Sequence, residues 1–466
     1  MRKMTIVGLA AVLMAGCGGS ENKPAGEAPS GVPLAIGPAK QATPETQPAK
    51  SSKIEDFAPA VRQLLQKANA AVVAGRYPTA IEAMSQAIGI TPEDARLFRI
   101  RADIYSLQKE NANARADFST AIRLAPEDAN LYNYRGYFLM SMGLGKEAME
   151  DFNKAISLDA KNSAALNNRG LMKLAGEDFA AAEADFSKAI EADRKFADAW
   201  NNRGFVRMKQ KQLDSAMSDI QMAVQLNDKY VTAWNNCGLI ALEQQKYEDA
   251  VKAFARAVEL DPMDARWLNH RRAALIKMNR FTEAQADASR IDWLAGLAAL
   301  TEEAGRNARN PKVWLNRGNH LMNGKEYGAA IQDYTRALVV NPGNADALAA
   351  RAKAWIGTGD YQKAMLDCDE SIVVRPSPEA YSTRGDIWMK LENLDQAISD
   401  FEAAKRFDEQ VAVAYETRAG KRKEAGETEA ADADIARAKE IRTALEDKPK
   451  EEKPANVAEG FDPTKG

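Results

Sequence analysis

The chain has 466 residues, 63 of them Lys or Arg and 66 Asp or Glu, for a net charge of −3 at pH 7. This balance gives no electrostatic reason to expect nucleic acid as a partner, and two histidines (His270, His320) with three cysteines leave little material for a metal site. The length suits several ordinary domains or one long repeat array, and an Ala-rich composition with regularly spaced turn residues favours helices.

The chain opens with MRKMTIVGLAAVLMAGC: a basic start at Arg2 and Lys3, a short apolar stretch from Ile6 to Met14, then small residues before Cys17. The apolar run is too short for a stable membrane-spanning helix and fits a secretory signal. Leu13-Met14-Ala15-Gly16-Cys17 resembles the lipobox of bacterial lipoproteins. The resemblance implies that residues 1–16 are a signal peptide removed before Cys17, whose thiol (typically with palmitate) and new amino group carry lipid. Two or more acyl chains give lasting membrane attachment. Gly18 rather than Asp after the cysteine implies the outer membrane, facing the periplasm, over the inner. The alternative is a cleaved soluble protein in which Cys17 is incidental. Residues 17–52 are rich in Pro, Gly, Ser and Ala without apolar periodicity, so a disordered tether is expected, and residues 446–466 carry the same expectation.

Between these ends the chain repeats itself. AWNNRG at 199–204 returns as AWNNCG at 233–238, and shifting the sequence by 34 residues aligns nearly everything in between. With Ala197 as position 1 of one copy, position 4 is aromatic or Leu, position 8 is Gly or Ala, and position 20 is Ala. Position 24 is mostly Phe or Tyr, and Pro recurs at position 32. Apolar positions 4, 8 and 11 mark one face of a first helix, and 20, 24 and 27 one face of a second. Small residues at 8 and 20 allow close approach, glycine-bearing stretches such as 176–178 supply the turn, and Pro ends the second helix. A single pair cannot bury its apolar surface, so copies must stack. The pattern resembles the tetratricopeptide repeat. What this implies is an all-α, right-handed superhelical solenoid of about eleven helix-turn-helix units, seven in block 53–298 and four in block 311–445. The helix-prone segment 292–310 carries an insertion of 12 residues at 299–310, expected as an unpaired extra helix that caps or bends the array.

Position 7 is usually Arg and position 23 usually Asp, as in Arg135 with Asp151, Arg169 with Asp185, Arg203 with Asp219, and Arg317 with Asp333. Where position 7 becomes Cys237, position 23 becomes Ala253, and the first copy has Lys67 and Ala83. Letters that come and go together predict contact between the two helices of a copy. Removing one partner would leave an unpaired buried charge, whereas replacing both can be nearly neutral. Cys237 is therefore half of a double replacement rather than a reactive site.

No phosphate loop, nucleophile elbow or metal cluster stands out, so no enzyme activity and no cofactor is expected. His270 and His320 are expected on the surface. A second stripe carries the functional expectation. Position 5 is Asn in five successive copies: Asn133, Asn167, Asn201, Asn235 and Asn269. Positions 9 and 12 add Tyr137, Leu171, Phe205, Met208, Leu239 and Leu242 on the same helix face. In tetratricopeptide proteins this face lines a concave groove, and amides beside an apolar strip suit an extended peptide. The bland alternative is that the strip packs between repeats. Phe205 is expected to stand partly in water. The resemblances together imply a membrane-anchored envelope scaffold binding other proteins or peptides. The alternatives are a subunit or regulator of an envelope enzyme such as a wall hydrolase or protease system, or a glycan-binding solenoid.

Overall fold

The computed structural model describes residues 57–446. Among them are 22 helices and no strand, arranged as eleven consecutive pairs. Repeat 5, for example, is Ala197–Lys209 with Leu213–Leu226, and repeat 6 is Val231–Glu243 with Tyr247–Leu260. The chain divides into two compact units between Arg290 and Ile291. The first holds repeats 1 to 6 and most of repeat 7, the second the remainder. The expected signal segment, Cys17, the expected tether and the residues beyond Glu446 lie outside the described residues.

Local chemistry sets the helix boundaries. Most first helices start on an Asp, Asn or Ser whose side chain accepts a hydrogen bond from the first turn, as Asp94, Asp128, Asn162, Asp264, Asn310, Asn344 and Ser377 do. Within each pair the turn holds one left-handed residue. Gly143 and Gly359 take that place in their copies, but so do Lys109, Lys211 and Gln245. In the stretch 176–178 the left-handed residue is Glu177, with φ 59°, and not Gly176. A side chain there costs about 1–2 kcal/mol. Turn hydrogen bonds such as Lys211 N–H to Met208 O (3.0 Å) and Gln212 N–H to Arg207 O (2.8 Å) offset it.

The pair interior is a glycine-against-ring contact. A Cβ placed on Gly238 would lie 2.5 Å from the Phe254 ring, and one on Gly318 would lie 2.5 Å from the Tyr334 ring. Position 8 is small because the position 24 side chain already occupies its space. From repeat 2 to repeat 7 and from repeat 8 to repeat 10 the first helices of successive repeats touch one another, and successive second helices do not pack comparably. The first helices are therefore the inner layer, and the second helices the outer.

The insertion behaves differently from the expected separate helix. Phe281–Arg306 is a single 26-residue helix, so the extra residues lengthen the second helix of repeat 7. Its distal part is fastened to the next first helix. Trp293 Nε1 donates to His320 O (3.0 Å), His320 Nε2 lies 2.8 Å from Trp293 O, and the rings stack at 5.1 Å. His320 is thus half-buried in packing rather than a free surface group. Gly324 lies under the Trp293 ring, where any Cβ would sit 2.2 Å away.

Candidate functional site

Nine Arg–Asp pairs join the helices of a repeat, in repeats 2 to 5 and 7 to 11, each through two parallel bonds. In repeat 3, Arg135 Nε donates to Asp151 Oδ2 (2.8 Å) and Nη2 to Oδ1 (2.8 Å). Arg169 with Asp185, Arg203 with Asp219, and Arg317 with Asp333 repeat this fork. Burial pushes the Asp185 carboxyl up, but Arg169 and Lys173 outweigh it and hold it below the usual carboxylate range. A third bond was not foreseen from sequence. In seven repeats the Arg Nη1 also donates to a polar group on the preceding second helix. Arg101 reaches Ser85 (2.9 Å), Arg169 reaches Asn153 (2.9 Å) and Arg203 reaches Ser187 (3.3 Å). Each such arginine therefore stitches two repeats as well as two helices. In the exceptional copy, Cys237 Sγ rests 3.6 Å from Met217 Sδ and Ala253 is buried. Burial pushes the Cys237 thiol up to about 11, which makes it a poor nucleophile.

The asparagine stripe is a ladder between first helices. Asn168 Nδ2 donates to Asn133 Oδ1, Asn202 to Asn167 and Asn236 to Asn201, each at 2.9 Å. The last rung is His270, whose Nδ1 lies 2.7 Å from Asn235 Oδ1. Asn133, Asn167, Asn201 and Asn235 are buried, so they hold neighbouring repeats in register rather than facing an open groove. Asn269 is exposed and bonds the Ala265 carbonyl of its own helix.

The apolar strip divides. Tyr137, Leu171, Leu239 and Leu242 are half-buried along the inner layer. Phe205, expected partly in water, is only 8 % exposed, and Met208 is buried beside it. Both fill the space between adjacent first helices together with Leu174 and Val206. The packing alternative is the one that describes these two. The reason is geometric: where first helices touch, a large side chain at position 9 meets the neighbouring helix before it meets solvent.

Two further groupings on this face escaped the sequence reading. In repeat 2, Arg99 Nη1 donates to Asp103 Oδ2 (2.8 Å) and its guanidinium lies 5.0 Å from the Tyr134 ring centre. Burial raises the Asp103 carboxyl above its usual value, although Arg99 partly offsets this. In repeats 5 and 6 the helix starts are Phe196 and Tyr230, which cannot cap. Tyr230 lies beside Asp198 and Asn201. The signal available was the break in the Asp/Asn/Ser series at these two helix starts. Among the described residues no group of three or more His, Cys, Asp or Glu is placed to hold a metal ion, and no helix is long and apolar enough to cross a membrane.

Tetratricopeptide repeat models match residues 65–129, 108–165, 167–231, 231–264, 315–380 and 378–411. The chain belongs to the tetratricopeptide repeat family. Among curated proteins it is 31% identical over 96 residues to a DnaJ homolog subfamily C member 7 homolog of Dictyostelium discoideum, covering 20% of this chain and 18% of that one. It is 33% identical over 107 residues to the heat-shock protein cognate co-chaperone sgt12 of Aspergillus fumigatus, covering 23% of this chain and 30% of that one. The chain thus spans less than a third of the length of these relatives. Among solved structures it is similar to PilW, a type IV pilus biogenesis factor (21% identity, TM-score 0.40, 47% of this chain and all of that one). It is also similar to YrrB, described as a tetratricopeptide protein with an unusual peptide-binding site (23% identity, TM-score 0.32, 39% of this chain and 94% of that one).

Proposed function

We propose that this chain is a non-enzymatic scaffold that holds partner proteins, through extended segments, along the inner layer of repeats 3 to 7. The observation that carries this reading is the ladder with the half-buried row beside it. The Asn133-to-His270 ladder fixes five first helices in register, so Tyr137, Leu171, Leu239 and Leu242 form a preformed apolar strip. A preformed surface binds at lower entropic cost than one that must be ordered. The test is capture of a nonapeptide library by the full chain and by a Leu171→Asp, Leu239→Asp variant. Lost capture at an unchanged melting temperature supports the reading, and undiminished capture overturns it.

The same proposal places the scaffold in the bacterial cell envelope, held to the outer membrane by lipid on Cys17 and facing the periplasm. Its support is the Leu13–Cys17 sequence and the polar stretch of residues 17–52 that follows. Cys17→Ser should move the protein from the membrane to the soluble fraction without changing its helical content. Unchanged fractionation sinks the anchor.

A further inference from the structure

Ten aspartates are buried among the described residues. Nine are the position 23 partners of arginine, from Asp117 to Asp434. The tenth is Asp198, on the inner face one turn before Asn201 and 8 % exposed. Its polar neighbour is the Tyr230 hydroxyl, and no Lys, Arg or His among the described residues balances its charge. That hydroxyl is itself buried, beside Asp198 and Asn201, and makes no hydrogen bond of full geometry with either. The same two places two repeats earlier are Asn130 and Asn162, which satisfy each other at 3.0 Å. One repeat earlier they are Ala164 and Phe196, which need no partner. Only in repeats 5 and 6 does this column hold a buried carboxylate beside a phenol, with no cation to balance it. A buried carboxylate without a cation is costly unless something supplies one.

Resting on the scaffold reading above, we propose that Asp198 and Tyr230 form a subsite for a cationic group of the bound segment, a lysine or arginine side chain or a free amino terminus. The carboxylate pairs with the cation. The Tyr230 hydroxyl donates to the same carboxylate and its ring offers a face to the aliphatic stem or the charge, as Phe205 already does for Lys209, whose Nζ lies 5.5 Å from the ring centre. The half-buried Leu171 and Leu239 in the repeats on either side take the flanking apolar residues.

The probes are synthetic nonapeptides of Ala, Ser and Leu with a single central Lys, Arg or norleucine, each made with a free and with an acetylated amino terminus. They are titrated against the full chain, its Asp198→Asn and Tyr230→Phe variants, and an Asp346→Asn control at the equivalent position of repeat 9. The wild type and the control should bind the Lys or Arg peptides, or the free-terminus series, about tenfold more tightly than their neutral counterparts. Asp198→Asn should abolish that preference while still binding the norleucine peptides, with a melting temperature equal to or above wild type. Tyr230→Phe should weaken it. Equal binding of charged and neutral peptides by the wild type, or a preference that survives Asp198→Asn, overturns the subsite and leaves the scaffold reading standing. Binding of no peptide at all overturns both.

Discussion

Repeats 3 to 7 and repeats 8 to 11 are built from one plan and differ on one face. The Arg–Asp fork runs through both: Arg135 with Asp151 in the first region, Arg351 with Asp367 in the second. The ladder of amides does not. In the second region position 5 is Leu315, Ala349, Ser382 and Glu416, and there the buried Ala349 packs without a hydrogen bond of its side chain. The fork is thus a general device of the helix pair, present wherever position 7 is arginine and replaced in repeats 1 and 6 by Lys67 with Ala83 and Cys237 with Ala253. The ladder is an addition to it. It makes the inner layer of repeats 3 to 7 a polar, register-fixed surface, whereas in the second region no amide ladder links these positions: Ser382 accepts from Arg406 (3.1 Å) and Glu416 pairs with Arg442. A device that one half of a repeat array carries and the other half folds without answers to something other than folding.

The sharpest way to break the comparison is to remove one arm of the fork in each region. Arg135→Ala and Arg351→Ala each leave a buried carboxylate with no second basic partner, and each should cost about 3–5 kcal/mol in urea unfolding. A small loss in either region would show that the fork does not do the same job in both. The repeat that lacks the fork gives the converse. Cys237→Arg alone should destabilise by a comparable amount, because Ala253 offers it no carboxylate, and adding Ala253→Asp should restore most of the loss. Equal damage in the single and double variants would mean that a fork cannot be rebuilt where Met217 now packs on Cys237.

The ladder comes next in size. Asn201→Ala strands the Asn236 amide and should cost about 1–3 kcal/mol, with part of it recovered in the Asn201→Ala, Asn236→Ala double variant. If the double variant is no better than the single, the two amides are not coupled and the ladder is a crystal-like coincidence of spacing. The smallest expected effect is at the stitch between repeats. Ser187→Ala removes a 3.3 Å bond from Arg203 and should lower stability by about 0.5–1 kcal/mol, leaving the Asp219 fork intact. A loss as large as that of Arg135→Ala would promote the stitch from accessory to principal contact.

The architecture was legible because periodicity records it redundantly. Eleven copies write Ala at position 20, with the aromatic and proline positions recurring in many of them, and the joint absence of Arg and Asp at Cys237 and Ala253 named a contact 16 residues apart in the chain. A spacing of 3.6 residues per turn also put positions 5, 9 and 12 on one face without any coordinates. What spacing could not give is how closely the next helix approaches that face. Phe205 and Leu171 occupy the same position of adjacent repeats, yet the first is buried and the second half-buried, because contact between first helices differs from one step to the next. The direction of the amides was equally hidden: Asn at position 5 reads as a groove residue until Asn at position 6 of the following repeat is seen to donate to it. The insertion shows the same limit, since helix propensity foresaw helix over 292–310 but not that it would continue unbroken from Phe281. Sequence determined the fold of each unit and the pairing inside it, because those interactions are local and repeated. Only the tertiary structure decided which inner-face groups satisfy one another and which, like Asp198, are buried without a balancing cation, because that depends on two helices 34 residues apart meeting at a distance that no period encodes.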